Sequence, residues 1–217
     1  MDNHAPAMVE LRAEQREVAR TRILTGARSV LVERGFEGTI DDVATAAGVS
    51  RRTVFRHFAT HDALLVEAIN EIVATVRSSV PRPPQKGEDV EVWLTEAAVQ
   101  LHTLHARLVG RAFWDVHVPR SSVSPEIVAV LGDLERRRLD YGTRLAVGTW
   151  ASLGGSTPPP ALVIDVFLLQ LSPFARHAFA QHSPEEVGRA CAKIIWTVLL
   201  AALADPHQPQ IVLSVQS

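Results

Sequence analysis

A single cysteine, Cys191, stands in 217 residues, so no disulfide can close within the chain, and its apolar helical setting reads as a packed thiol rather than a redox sensor. Lysine is almost missing, with only Lys86 and Lys193, and positive charge is carried by arginine. The formal net charge of -2 provides no global field toward nucleic acid, so any such attraction must be local. No N-terminal stretch joins a charged start to a long apolar run, and the apolar stretch near the C-terminus falls short of about 18 residues; the expectation is a cytoplasmic protein without a membrane span. No strand-like alternation or internal repeat stands out. Catalytic patterns are missing as well. There is no nucleophile with a base at a recognisable spacing, and Gly154-Gly155-Ser156 runs into three prolines instead of the helix that a phosphate loop requires. Neither an enzyme nor a cofactor is expected.

What is present is helical. With 47% hydrophobic residues the chain can build a packed core, and its periodicity predicts an all-α protein. Residues 1–12 are polar and without period, which predicts a loose arm. A first helix over 14–34 is expected to bury Val18, Ile23, Ala27, Val30 and Leu31. Arg12, Arg16 and Arg20 recur on it at helical spacing, suited either to a phosphate backbone or to a solvated face. Further helices are expected over 62–79, 90–108, 111–117, 125–150, 161–181 and 184–204. Three prolines within 81–87 mark an internal linker, and Pro173 is expected to kink its helix by freeing the Leu169 carbonyl.

The most informative segment is 39–58. Thr39 is a start signal, Asp41 and Asp42 suit the positive end of a helix dipole, and Val43, Ala44 and Ala47 share one face. Gly48 can take positive φ to stop that helix, Val49 plugs the corner, and Ser50 can cap the next. The second helix is expected to bury Val54 and Phe58 while Arg51, Arg52, Thr53, Arg56 and His57 stay on the solvent side. A helix-turn-helix follows, although an ordinary helical hairpin also carries a glycine turn and a basic face. From Glu10 to Leu65 nine arginines stand against eight acids, a net of +1, so the basic side chains must be segregated by face.

With Thr21-Arg22-Ile23-Leu24, Glu33-Arg34-Gly35-Phe36, Asp42-Val43-Ala44, Ala47-Gly48-Val49-Ser50 and Phe55-Arg56-His57-Phe58 in this order, the stretch from Arg16 to Leu65 resembles the N-terminal domain of tetracycline-repressor (TetR) family regulators. The resemblance implies a three-helix DNA-binding head, a helical ligand-sensing and dimerisation body, and a homodimer that leaves its double-stranded DNA operator when a small-molecule inducer binds. The candidate DNA-binding residues are Thr39, Ser50, Arg51, Arg52, Thr53, Phe55, Arg56, His57 and His61. Ser50, Thr53 and His57 are expected to position the helix on phosphates, and the three arginines to supply charge and some base readout. The chain departs from the family pattern in three places. It looks one residue shorter between Gly35 and Ala44. Phe55 stands where a phosphate-touching tyrosine is common, and His61 where a lysine usually begins the next helix; histidine is charged only below about pH 6.5.

The domain layout expected is an arm over 1–12, a head over 13–61, a connecting helix over 62–80, a linker over 81–89, a body over 90–205 and a tail over 206–217. In the body, Trp93, Leu101, Leu104, His105, Leu108, Phe113, Trp114, His117, Tyr141, Leu145 and Phe174 are candidates for an apolar ligand pocket. The last two helices are apolar around most of their circumference, so one face of each needs a partner. Val163, Phe167, Phe174, Val187, Cys191, Ile194, Ile195, Val198 and Ala202 are the candidate dimer contacts, in a four-helix interface. Two rival readings remain open: a helical interaction module without DNA binding, and a metal-responsive regulator using His102, His105 and His117.

Overall fold

The computed structural model describes residues 4–108, 123–155 and 158–204, and every regular element there is helical. The α-helices are α1 (His4–Arg34), α2 (Ile40–Ala47), α3 (Arg51–His57), α4 (His61–Ser79), α5 (Val90–Leu108), α6 (Pro125–Ser152), α7 (Ala161–Gln170), α8 (Pro173–Ala178) and α9 (Pro184–Ala204), with one 3-10 turn at Gly35–Glu37. The segment 1–12 expected as an arm is helical from His4. The expected helix 111–117, the tail 206–217, and Phe113, Trp114 and His117 lie outside the described residues.

The chain forms two compact units. The first comprises Met1–Thr75 and Leu108–Gly132. Ile23, Ala27 and Leu31 of α1, Val43 of α2, Val54 of α3 and Leu64 and Ala68 of α4 are its most deeply buried side chains. Val18, expected in this core, is instead 60% exposed, because at about 100° per residue it points to the side of α1 opposite Ile23, Ala27, Val30 and Leu31. Ile127 and Leu131, from the first turns of α6, close the same core. Arg20 pairs with Glu67 and lays its guanidinium over the Phe58 ring at 4.8 Å, so this arginine braces α1 against α4 rather than reaching outward.

The second unit comprises Val76–Arg107 and Asp133–Ser217. Its core joins Leu94, Ala98 and Leu101 of α5, Leu145 and Trp150 of α6, Val163 and Phe167 of α7, and Ile195 and Leu199 of α9. At Gly188 the backbones of α9 and α5 come so close that a Cβ there would sit 2.5 Å from the Val99 Cα. The expected linker between α4 and α5 lacks regular structure but is not a free spacer. Arg82 pairs with Glu88 at 2.9 Å, Tyr141 Oη donates to the Pro81 carbonyl at 3.0 Å, and Trp93 Nε1 donates to the Arg82 carbonyl at 3.2 Å. These bonds explain two sequence candidates in another way: Trp93 and Tyr141 pin this strap to the body.

The expected single helix 161–181 is broken in two. Proline has no N–H and its ring clashes with the carbonyl four residues back. The chain therefore stops α7 at Gln170, and Ser172 caps α8 with Pro173 at its first position. The Ser172 hydroxyl donates to the freed Leu169 carbonyl at 2.6 Å.

By length and composition α9 could cross a bilayer, contrary to the sequence reading of that stretch, with a mean hydropathy of 1.7 over its most apolar part. Val187, Cys191, Ile195 and Leu199 nevertheless bury one side of it in the second unit, as a core helix does. Burial pushes the Cys191 thiol up to about 11, which keeps it protonated and inert.

Candidate nucleic-acid interface

The helix-turn-helix is built from interlocking caps. The Thr39 hydroxyl accepts from the Asp42 amide at 3.2 Å while the Asp42 carboxylate accepts from the Thr39 amide at 2.9 Å, a reciprocal capping box that starts α2. Gly48 ends α2 at φ 62°, the left-handed conformation that glycine adopts without strain. The Val49 amide closes the turn on the Ala44 carbonyl at 3.0 Å. The Ser50 hydroxyl then accepts from the Thr53 amide at 3.1 Å and starts α3. Arg22 of α1 donates to the Gly48 carbonyl at 3.4 Å, a support that spacing within α2 and α3 could not reveal.

Helix α3 buries Val54, and Phe58 is buried at its C-cap, as expected. Thr39, Ser50, Arg51, Arg52, Phe55 and Arg56 are exposed, whereas Thr53, His57 and His61 are half-buried. The three arginines are not equivalent. Arg51 is held at 2.8 Å by Asp41 and stacks over the Phe55 ring at 5.6 Å. Arg52 and Arg56 form no ion pair among the described residues and keep their guanidinium forks available. In the same unit Arg20, Arg28 and Arg34 pair with Glu67, Glu71 and Asp42. A head with almost no net charge thus sets much of its opposite charge against itself, and α3 keeps unpaired positive charge.

Two histidines differ from their expected placement. The Nε2 atoms of His57 and His61 are buried without a hydrogen-bond partner. Burial lowers the His57 pKa, and Arg56, Arg16 and Arg20 lower it further, so His57 is neutral at pH 7. The α1 side chains that act on it are charged, Arg16, Glu17 and Arg20. His57 therefore lends α3 neither charge nor an exposed Nε2.

In the second unit, His102 is fully buried and its Nε2 lies 3.0 Å from the Gln170 carbonyl oxygen. The His105 ring meets it edge-on, with centroids 5.9 Å apart. Among the described residues no group of three or more His, Cys, Asp or Glu side chains is placed to hold a metal, and His117 lies outside them. His102 Nδ1, His105 Nδ1, Gln170 Oε1 and Arg176 Nε are buried with no hydrogen-bond partner among the described residues. Each such group costs about 1–3 kcal/mol when left unsatisfied. Of the other ligand candidates, Leu101 and Leu145 are buried in the core, and Leu104, Leu108 and Phe174 are half-buried.

Burial pushes His105 from 6.5 down to about 3, with His102 and Arg138 adding to the shift. Because the unfolded chain takes up this proton first, stability is complete above about pH 6.5 and is lost as pH falls toward 3. The expected slope reaches about 1.4 kcal/mol per pH unit. Urea midpoints measured from pH 7 to pH 4 should fall in the wild type and fall less steeply in His105→Phe; equal slopes would contradict the neutral buried imidazole.

Of the candidate dimer contacts, Val163, Phe167, Val187, Cys191, Ile195 and Ala202 are buried inside the chain's own second unit. Phe174 and Val198 are half-buried, and Ile194 is exposed. The outward apolar side chains of α7 and α9 are Leu162, Leu169, Ile194 and Leu200, at 53%, 57%, 40% and 48% exposure. Helices apolar all round carry no sequence mark of which side looks out, so periodicity does not separate these two faces.

Residues 23–68 match the family described as bacterial regulatory proteins, tetR family. Among solved structures, a transcriptional regulator from Rhodococcus sp. Rha1 superposes with a TM-score of 0.62 at 23% identity, covering 84% of this chain and 96% of that one. A protein described as a TetR-family transcriptional regulator from Syntrophomonas wolfei str. Goettingen superposes with a TM-score of 0.54 at 16% identity, covering 84% and 95%. No curated protein matches the chain.

Proposed function

From a chain whose residues 23–68 match the tetR family of bacterial regulatory proteins, we propose a homodimeric cytoplasmic repressor that binds a near-palindromic operator and is released by a small, largely apolar ligand. The observation that carries this reading is α3, a helix capped by Ser50 and presenting the unpaired Arg52 and Arg56 together with Ser50 and Phe55. Two such helices in a two-fold dimer, about 34–36 Å apart, suit successive major grooves of B-DNA. The Leu162, Leu169, Ile194 and Leu200 surfaces of α7 and α9 support the dimer, since four large aliphatic side chains on two packed helices need cover. Of the expected phosphate contacts, Ser50 retains its exposed place, while Thr53 shares its hydroxyl with Ser50 at 2.8 Å. Phe55 offers an apolar ring to a thymine methyl rather than a hydroxyl to a phosphate.

The test is binding of the purified dimer to its own upstream DNA and to an unrelated fragment of equal length, titrated across salt and without added ligand. Selective binding that weakens steeply with salt is expected. Equal, weak binding to every fragment in a genome-wide selection would overturn the reading. Arg52→Ala should weaken operator binding about tenfold or more and lower the salt slope by about one, with the dimer intact; a monomeric Arg52→Ala protein would show that reading and assembly are not separate.

A further inference from the structure

The unsatisfied polar atoms of the second unit specify a ligand chemistry. We propose that His102, His105, Gln170 and Arg176 form the polar end of the effector site, and that the effector is a neutral, mostly apolar compound carrying a hydroxyl group that binds there. This rests on the regulator reading insofar as it assumes a small-molecule effector.

The hydrogen-bond roles follow from the bonds already made. A carbonyl oxygen only accepts, so His102 Nε2, 3.0 Å from the Gln170 carbonyl, carries the ring hydrogen. With burial keeping the ring neutral against the smaller opposing effect of that bond, Nδ1 is a bare lone pair. Gln170 Oε1 is a second acceptor, and Arg176 Nε–H is a donor. His105 Nδ1 adapts to either role through its tautomer. All four atoms are buried and lack a partner among the described residues, and His102 itself has no exposed surface. Their surroundings are apolar: Leu101 and Leu171, each next in sequence to His102 and Gln170, belong to the core of this unit.

A ligand is favoured if one of its groups both donates to one of these acceptors and accepts from the Arg176 donor. A hydroxyl does so, donating its hydrogen to His102 Nδ1 or Gln170 Oε1 while its oxygen accepts from Arg176 Nε–H. A second hydroxyl would occupy the remaining acceptor. A carboxylate would suit Arg176 but would set its lone pairs against those of His102 and Gln170 with no hydrogen between them. An ammonium could donate to both acceptors but would bring a second positive charge beside Arg176, in surroundings that screen poorly. Bound water satisfies the same atoms and is the competing occupant.

The experiment is calorimetric titration of the full-length, DNA-free protein with 4-butylphenol, 4-butylanisole, 4-butylbenzoate and 4-butylbenzylamine. These probes share one apolar body and differ in the polar group. The phenol is expected to bind saturably at millimolar concentration or below, and the ether, carboxylate and amine at least tenfold more weakly. Gln170→Leu should weaken phenol binding at least tenfold without lowering the thermal midpoint, because an apolar side chain replaces an unsatisfied acceptor; His102→Phe should weaken it as much but lower the midpoint, because it also removes the bond to the Gln170 carbonyl. Should His102→Phe fail to fold, Gln170→Leu carries the comparison. Tighter binding of the benzoate, equal binding of the anisole, unchanged phenol affinity in the folded variants, or no saturable phenol binding at all would overturn the proposal, the last pointing to a water-filled polar core. Operator binding is measured without any probe, so failure here is distinct from failure of the repressor reading.

Discussion

Leu162→Glu combined with Leu200→Glu is expected to yield a folded monomer whose operator affinity falls by about 10²- to 10⁴-fold. Both side chains are roughly half exposed and neither belongs to the core of its unit, so two carboxylates can be placed there without disturbing the protomer. In a two-fold interface each substitution appears twice, which sets like charges against each other across a surface that had excluded water. The loss on DNA exceeds that of any single contact because the second head of a dimer binds at high effective concentration, and a monomer forfeits that gain. Sedimentation equilibrium with an operator titration checks both halves. A double variant that stays dimeric would place the interface elsewhere, and a monomer that binds as tightly as the wild type would remove the need for paired heads.

Gly188→Val should destabilise the second unit strongly. A Cβ at this position would approach Val99 Cα at 2.5 Å and Val99 N at 2.7 Å, and backbone cannot swing aside as a side-chain tip can. To relieve the clash α9 must move off α5, opening the core around Leu94, Ala98, Ile195 and Leu199. Overpacking of this kind costs about 3 kcal/mol, which at about 2–4 °C per kcal/mol for a chain of this size lowers the melting midpoint by roughly 6–12 °C. Gly132→Ala in α6 is the control. A Cβ there meets nothing within 4 Å, so better helix propensity alone should leave stability equal or about 1 kcal/mol higher. Calorimetric melting of the two variants settles the point: equal midpoints would mean that the α5 and α9 backbones are farther apart than described.

Much of the head was legible in the sequence because its determinants are local. Thr39, Gly48 and Ser50 act on amides and carbonyls within a few residues, so their spacing specifies α2, the turn and α3, and the Thr39 and Ser50 caps and the left-handed glycine stand where they were expected. Helices α5 and α9 begin and end at the expected residues for the same reason. Pro173 was legible as an interruption but not in its outcome, since whether a helix kinks or restarts depends on whether a cap such as Ser172 can take over.

The sequence alone determined the helical class, the boundaries of most helices and the basic character of α3, all of which follow from short-range periodicity and backbone chemistry. Only the tertiary structure decided which arginines are free, that His57 turns inward, which sides of α7 and α9 look outward, and that His102, Gln170 and Arg176 come together. Those facts depend on pairs such as Arg51 with Asp41, or His102 with Gln170 across 68 positions, that meet only when helices pack. Charge pairing, burial and hydrogen-bond satisfaction are properties of neighbours in space, and a one-dimensional pattern holds them only where neighbours in space are also neighbours in sequence.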